Sequence, residues 1–153
     1  INLLHPYNDF CDIEIYNEAA IFIDIKVKEI ETGKEIILKL KTKLDNFSIN
    51  HTTKEITLND LKTTGHLINE FQKTFVDMHY YRQMSFYLWI LRLYIGSKCN
   101  CDSYKLFVNM LLVSTITHET SIFKVTSDYI LDGFKEFSTL LKKVAYCEIN
   151  GYG

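Results

Sequence analysis

Apolar and polar residues alternate from Ala20 to Ile30, with Ile and Val prominent, and this period of two predicts a strand. Glu31-Thr32-Gly33-Lys34 supplies a turn, and a second strand is predicted from about Glu35 to Phe47. Its alternation puts Ile37, Lys39, Lys41, Lys43 and Asp45 on one face and Leu38, Leu40 and Leu44 on the other. A polar stretch from Asn50 to Thr53 turns the chain again, before a third strand from about Lys54 to Lys62. Three strands with short polar connections imply an antiparallel meander.

Thr63-Thr64-Gly65 closes that strand, and Thr64 is placed to cap a helix beginning near His66. Leu67, Ile68, Phe71, Phe75 and Met78 recur there at helical spacing. A second helical pattern, roughly Tyr80 to Ile95, is apolar nearly all round and should be buried, with Gly96 as its stop. Tyr104 to Thr115 predicts a fourth strand and Ser121 to Thr126 a fifth. A last helix, capped by Ser127 or Asp128, then runs to about Tyr146. The order βββ, α, α, ββ, α implies an α/β fold with a mixed central sheet flanked by helices.

A chain of 153 residues, 47% hydrophobic and 24% charged, suits one folded domain rather than a disordered segment. Pro6 is the only proline and the 6 glycines are scattered, so nothing reads as a linker. The chain opens in mid-phrase on Ile1, which leaves room for a functional residue upstream of it. The longest apolar run, Phe86 to Ile95, is interrupted by Arg92 and too short to cross a bilayer, and no signal peptide is visible. A cytoplasmic protein is expected. A net charge of -2 does not fit a general nucleic-acid coat. The basic residues are nonetheless concentrated early: Lys26, Lys28, Lys34, Lys39, Lys41, Lys43 and Lys54.

The chemistry is concentrated in Lys41-Thr42-Lys43-Leu44-Asp45 and, after fourteen intervening residues, Asp60-Leu61-Lys62-Thr63-Thr64. Asp60 and Lys62 share a strand face. With the intervening turn centred near His51 and Thr52, Asp45 stands opposite Leu58, and all three residues project from that face. Two carboxylates, joined by the Leu61 backbone carbonyl, make a hard-oxygen site for Mg²⁺ or Mn²⁺. Such a metal polarises a phosphodiester and activates water, while Lys62 orients that water and meets developing negative charge. The same register places Ile56 and Leu58 on the face of Lys39 and Lys41, an awkward mixture that a bulge or slip would alter.

Asp45 followed by Asp60-Leu61-Lys62 resembles the D…(D/E)-x-K core of the PD-(D/E)XK nuclease superfamily. Gln83-Met84-Ser85-Phe86-Tyr87 resembles the Q-x-x-x-Y motif of its RecB-like and lambda-exonuclease-like branch. The phrasing is similar to phage and prophage exonucleases. The resemblance spans about residues 20 to 146 and implies a restriction-endonuclease-like core. It implies metal binding by Asp45, Asp60 and the Leu61 carbonyl, water activation by Lys62, and positioning by Gln83. Tyr87 would contact substrate or brace the motif, with Thr63 and Thr64 as further phosphate contacts. Apart from the resemblance, Lys43 and Arg82 are candidate substrate contacts, a solvated Arg82 being the alternative. The implied activity is exonucleolytic cleavage of DNA to 5′-phosphate products. Such enzymes often form ring-shaped homo-oligomers and work with a single-strand annealing protein. Leu44 replaces the Pro of the family name. The acidic residue or His usual on an upstream helix is unassigned, with Glu18 and His5 as candidates.

Cys11, Cys99, Cys101 and Cys147 match in number and order the iron–sulfur ligands of some RecB-like nucleases, but the spacing argues against a cluster and for ordinary thiols. A cluster would favour a nuclease module of a CRISPR-adaptation or helicase-nuclease system. The five histidines, His66 and His79 among them, show no metal-ligand spacing. Tyr80, Tyr81, Phe86, Tyr87 and Trp89 read as core packing. A nuclease-like fold that binds DNA or protein without cutting is the third alternative.

Overall fold

In the computed structural model, residues 12–98 and 103–152 are described, and they form an α/β fold. Strands β1 (Ile13–Lys28), β2 (Glu35–Asn50) and β3 (Glu55–Thr64) come first. A single 3-10 turn (Ile68–Glu70) leads into helices α1 (Phe71–Asp77) and α2 (Tyr80–Gly96). Strands β4 (Lys105–Ser114) and β5 (Thr120–Lys124) and helix α3 (Ser127–Asn150) complete the order. The sheet runs β1-β2-β3-β4-β5, antiparallel throughout except where β3 pairs β4 in parallel. The α1–α2 segment makes the crossover that this parallel pair requires. The expected order and mixed sheet are therefore present, with shifted boundaries. β1 begins at Ile13 rather than Ala20. Thr64 ends β3, where its hydroxyl accepts the His66 N–H at 3.2 Å instead of capping a helix. Thr126, not Ser127 or Asp128, is the N-cap of α3.

One face of the sheet carries the core. Phe47, Leu58, Met110 and Leu112 are fully buried against Phe71 and Phe75 of α1 and Met84, Ile90 and Leu91 of α2. Helix α2 is apolar all round because it lies between two partners, the sheet on one side and α3 on the other. Against α3 it presents Phe86 and Trp89 to Phe137, with ring centroids 5.6 and 5.3 Å apart. Gly133 of α3 sits directly on the Tyr81–Ser85 turn of α2. The other sheet face is open and shows Phe22, Ile37, Leu61, Phe107 and Ile122 to solvent. Among the described residues, no helix is long and apolar enough to cross a membrane.

The β1–β2 turn is organised by one buried carboxylate. Glu29 accepts the Glu31 N–H at 2.6 Å and both the N–H and hydroxyl of Thr32, while Gly33 adopts φ 72°. The Thr32 hydroxyl above all, helped by these backbone N–H groups, draws the Glu29 pKa down to about 2. A depressed carboxylate contributes stability above its unfolded value, and the contribution is lost as pH falls through about 2. Glu29→Gln should therefore lower the Tm by a few degrees at neutral pH. The gap to wild type in circular-dichroism melts should narrow as the pH is taken down from about 4.5 toward 2. A pH-independent gap would show that charge is not what holds the turn.

Candidate metal centre

The pleat reverses at one point in β1 and β2. Downstream residues Phe47 and Ile49 are buried, but so are Leu38, Thr42 and Leu44 upstream, and these have opposite parity. In β1 the inward residues change likewise, from Tyr16, which stacks on Phe47, to Ala19 and Ile21. The pairing register is the same on both sides, Asn17↔Asn46 and Ala19↔Leu44. The irregularity therefore falls on Glu18 and Asp45, and Glu18 adopts a left-handed φ of 52°. This removes the awkward mixture expected from strict alternation. Lys39 and Lys41 face outward while Ile56 and Leu58 face the core. It also corrects the assignment of Asp45 to the open lysine face.

The hairpin register is offset by two residues from expectation. Phe47, not Asp45, pairs with Leu58, and Asn46 pairs with Asn59. An offset of two preserves side-chain parity. Pairing between β2 and β3 stops at Asn46↔Asn59, although β3 continues to Thr64 alongside β4. Asp45 fills the opening: its Oδ2 accepts the Leu61 N–H at 2.8 Å, where a β2 carbonyl would otherwise stand. In an extended strand a residue's N–H and C=O point to the same side, so the Leu61 carbonyl faces the same notch.

Asp60 follows Ile56 and Leu58 onto the helix-covered face and is only 3% exposed. Lys62 is beside it, its Nζ 2.9 Å from Asp60 Oδ2 and its side chain 21% exposed. Apart from that ammonium, Oδ2 is buried without a hydrogen-bond partner. Burial raises the Asp60 pKa, opposed by Lys62 and reinforced by the charge of Asp45. The two carboxylates thus share one electrostatic neighbourhood. The Lys62 ammonium also lies 5.2 Å from the centroid of the Tyr80 ring.

Tyr80 begins α2, and Tyr80, Gln83 and Tyr87 follow one another along one stripe of it. The Gln83 amide donates to the Tyr87 hydroxyl at 2.8 Å, so the two are braced as a pair. Tyr80, expected only to pack, is the residue that ties this stripe to Lys62. Its place three residues before Gln83 was the available signal. A second feature had no signal in the local pattern. Asn17, Asn46, Asn59 and Asn109 are register partners on four neighbouring strands, linked amide to amide at 2.8, 2.7 and 3.0 Å. The ladder fixes the register one residue from each acid.

Other expected contacts have partners or faces of their own. Thr63 is exposed on the face opposite Asp60, and Thr64 is buried and bonded to His66. Arg82 pairs with Glu136 of α3 at 3.3 Å. Lys43 pairs with Glu18, and Glu18 and then Asp45 raise its pKa. Glu18 is accordingly an exposed partner of Lys43. Among the described residues, no three His, Cys, Asp or Glu side chains converge as a ligand set. His5, Cys11, Cys99 and Cys101 lie outside the described residues; Cys147 is a free thiol on α3.

The remaining donors still fit a hard divalent cation. Two carboxylates and a backbone carbonyl are oxygen donors of the kind such a cation takes, and Asp60 Oδ2 is buried with the Lys62 ammonium as its one polar neighbour. No family model matches the chain, and no curated protein matches it. Four chains of solved structures resemble it. One, the crystal structure of SSO0001, aligns over 83% of this chain and 50% of its own length, with 16% identity and a TM-score of 0.43. This chain thus spans about half the length of that protein.

Proposed function

We propose that the chain is a divalent-metal-dependent deoxyribonuclease of the PD-(D/E)XK type, favouring the phage-type exonuclease branch. One observation carries the reading. Where β2 and β3 part, Asp45 accepts the N–H of Leu61, and the preceding residue, Asp60, is a buried carboxylate with the Lys62 ammonium 2.9 Å from its Oδ2.

Asp45, Asp60 and the Leu61 carbonyl would hold Mg²⁺ or Mn²⁺, which when bound polarises a phosphodiester and lowers the pKa of a coordinated water. Asp45 has a second task, since its bond to the Leu61 N–H fixes the edge of β3 that carries the carbonyl. Lys62 directs a positive charge to the place where the attacking oxygen and the phosphoryl group become negative. Tyr80 limits where that ammonium can go. Gln83, braced by Tyr87, offers an amide for orienting water or a terminal phosphate. A cytoplasmic setting, homo-oligomer formation and a single-strand annealing partner accompany this reading as parts of the proposal.

Linear duplex and single-stranded DNA should both be incubated with the protein in Mg²⁺ or Mn²⁺. Wild type should digest DNA only with metal, and Lys62→Ala should be at least about a hundredfold slower, the scale set by losing one electrostatic stabiliser. No digestion by wild type, or equal digestion by the variant, would sink the catalytic claim. DNA binding without cutting would instead indicate a nuclease-like binding module.

A further inference from the structure

From residue 35 to 45, β2 pairs with β1 alone, so the first hairpin extends from the sheet as a two-stranded arm. Its inner face is buried through Ile21, Leu38 and Leu44. On its open face, Lys39, Lys41 and Lys43 stand in file and lead to Asp45. Residues two apart in a strand are separated by about 6.6 Å. Two exposed apolar side chains share this face, Ile37 (62% exposed) at the end of the file and Phe22 (61%) on the neighbouring strand. The register sets Phe22 beside Lys41 and Ile37 beside Lys26. Three acids share the face. Glu18 holds Lys43, Glu35 lies 3.6 Å from Lys26, and Asp24 is the register partner of Lys39. Lys41 has no acid opposite it; its ammonium rests 5.3 Å from the Phe22 ring centroid.

We propose that this face is a track for one extended strand of nucleic acid, with phosphates on Lys39, Lys41 and Lys43 and bases on Phe22 and Ile37. The proposal rests on the nuclease reading for its ligand class and adds strandedness and path. A row of cations flanked by an exposed aromatic ring is how single strands are bound without sequence preference, and Ile37 adds an apolar contact for a base. A straight row on a narrow ribbon follows one strand, whereas the phosphates of a duplex wind away from it. A base taking the Phe22 ring displaces Lys41 and releases its ammonium to the adjoining phosphate. A protein partner is a poorer match, because interfaces are depleted in the lysines that dominate here. The file ends beside the acid at the notch, so a strand on the arm is led to the proposed metal centre.

Binding is measured by fluorescence anisotropy in EDTA, where cleavage cannot contribute, with a labelled oligothymidylate and a labelled duplex. Wild type should bind the single strand more tightly than the duplex. Lys39→Ala with Lys41→Ala should weaken single-strand binding at least about tenfold and reduce the salt slope by about 1.4, that is about 0.7 for each lost phosphate contact. Phe22→Ala should weaken it about tenfold. The pair Lys142→Ala and Lys143→Ala on α3 serves as the control and should change nothing. Unchanged affinity in the lysine double variant, or tighter binding of duplex, overturns the proposal. So does self-association abolished by Phe22→Ala without DNA binding, which assigns the face to a second copy. Binding by the arm with no metal-dependent cleavage refutes the nuclease reading alone. Cleavage with unaltered binding by the double variant refutes the track alone.

Discussion

Asp60→Asn is expected to reduce metal-dependent cleavage by at least about a thousandfold, the scale of losing a key electrostatic group, and to raise the Tm of the metal-free protein at neutral pH. Activity falls because Asn supplies a neutral ligand where the site needs an anionic one. Stability rises because burial outweighs Lys62 at this position, so the fold prefers an uncharged side chain. A carboxylate whose folded pKa is raised contributes stability below its unfolded value. That contribution is lost as pH climbs from about 3.9 through the raised folded value. Asn carries no such loss. The expected gain is modest, because the Lys62 ammonium loses its carboxylate partner and this offsets part of the relief. Mn²⁺ should raise the Tm of wild type and leave the variant unmoved. Thermal melts over a pH series, with and without Mn²⁺, check both statements. A variant that melts lower than wild type in EDTA would refute the desolvation account, and one that still cleaves would refute the metal assignment.

Gly133→Ala should be the most damaging single-methyl change in the helical layer. A Cβ at this position would overlap the Ser85 hydroxyl and the Tyr81 carbonyl oxygen and come within 2.8 Å of the Tyr81 carbonyl carbon. Backbone of α2 cannot swing aside as a side chain can. The Ser85 hydroxyl bridges the Tyr81 and Ile130 carbonyls at 2.7 and 2.8 Å, so a shift also strands buried polar groups. Alanine recovers about 1 kcal/mol of helix propensity. Overpacking should exceed this and leave a net loss of about 2–3 kcal/mol, lowering the Tm by roughly 4–12 °C. The change should also displace the Tyr80–Gln83–Tyr87 stripe, so catalysis would suffer beyond the loss of folded protein. A Tm within about 1 °C of wild type would show that α3 can slide along α2 without penalty, against the rigidity of packed interiors.

Much of the candidate site follows from local pattern. Alternation puts Asp60 and Lys62 on one face of a strand in any register, and helical spacing puts Gln83 and Tyr87 on one face of a helix. These periodicities are properties of the backbone and survive whatever packs around them. They also survive the two-residue error in the expected hairpin register, because parity is unchanged when the offset is even. Boundaries fared less well. The first half of β1 lies outside the strand its alternation predicts, because the left-handed Glu18 breaks the period there.

The sequence by itself determined the order of strands and helices, the buried character of α2, and the parity of the acid and lysine pair. Each depends only on the period of the backbone and the polarity of neighbouring residues. The tertiary structure decided the rest. The reversal of the pleat at Glu18 and Asp45 turned the lysine file outward, the end of β2–β3 pairing opened the notch, and Asp45 captured the Leu61 N–H. It also decided that Asp60 is buried, that Tyr80 meets Lys62, and that Gly133 touches the backbone of α2. These depend on distances between segments far apart in the chain, set by packing and desolvation, which no local pattern encodes.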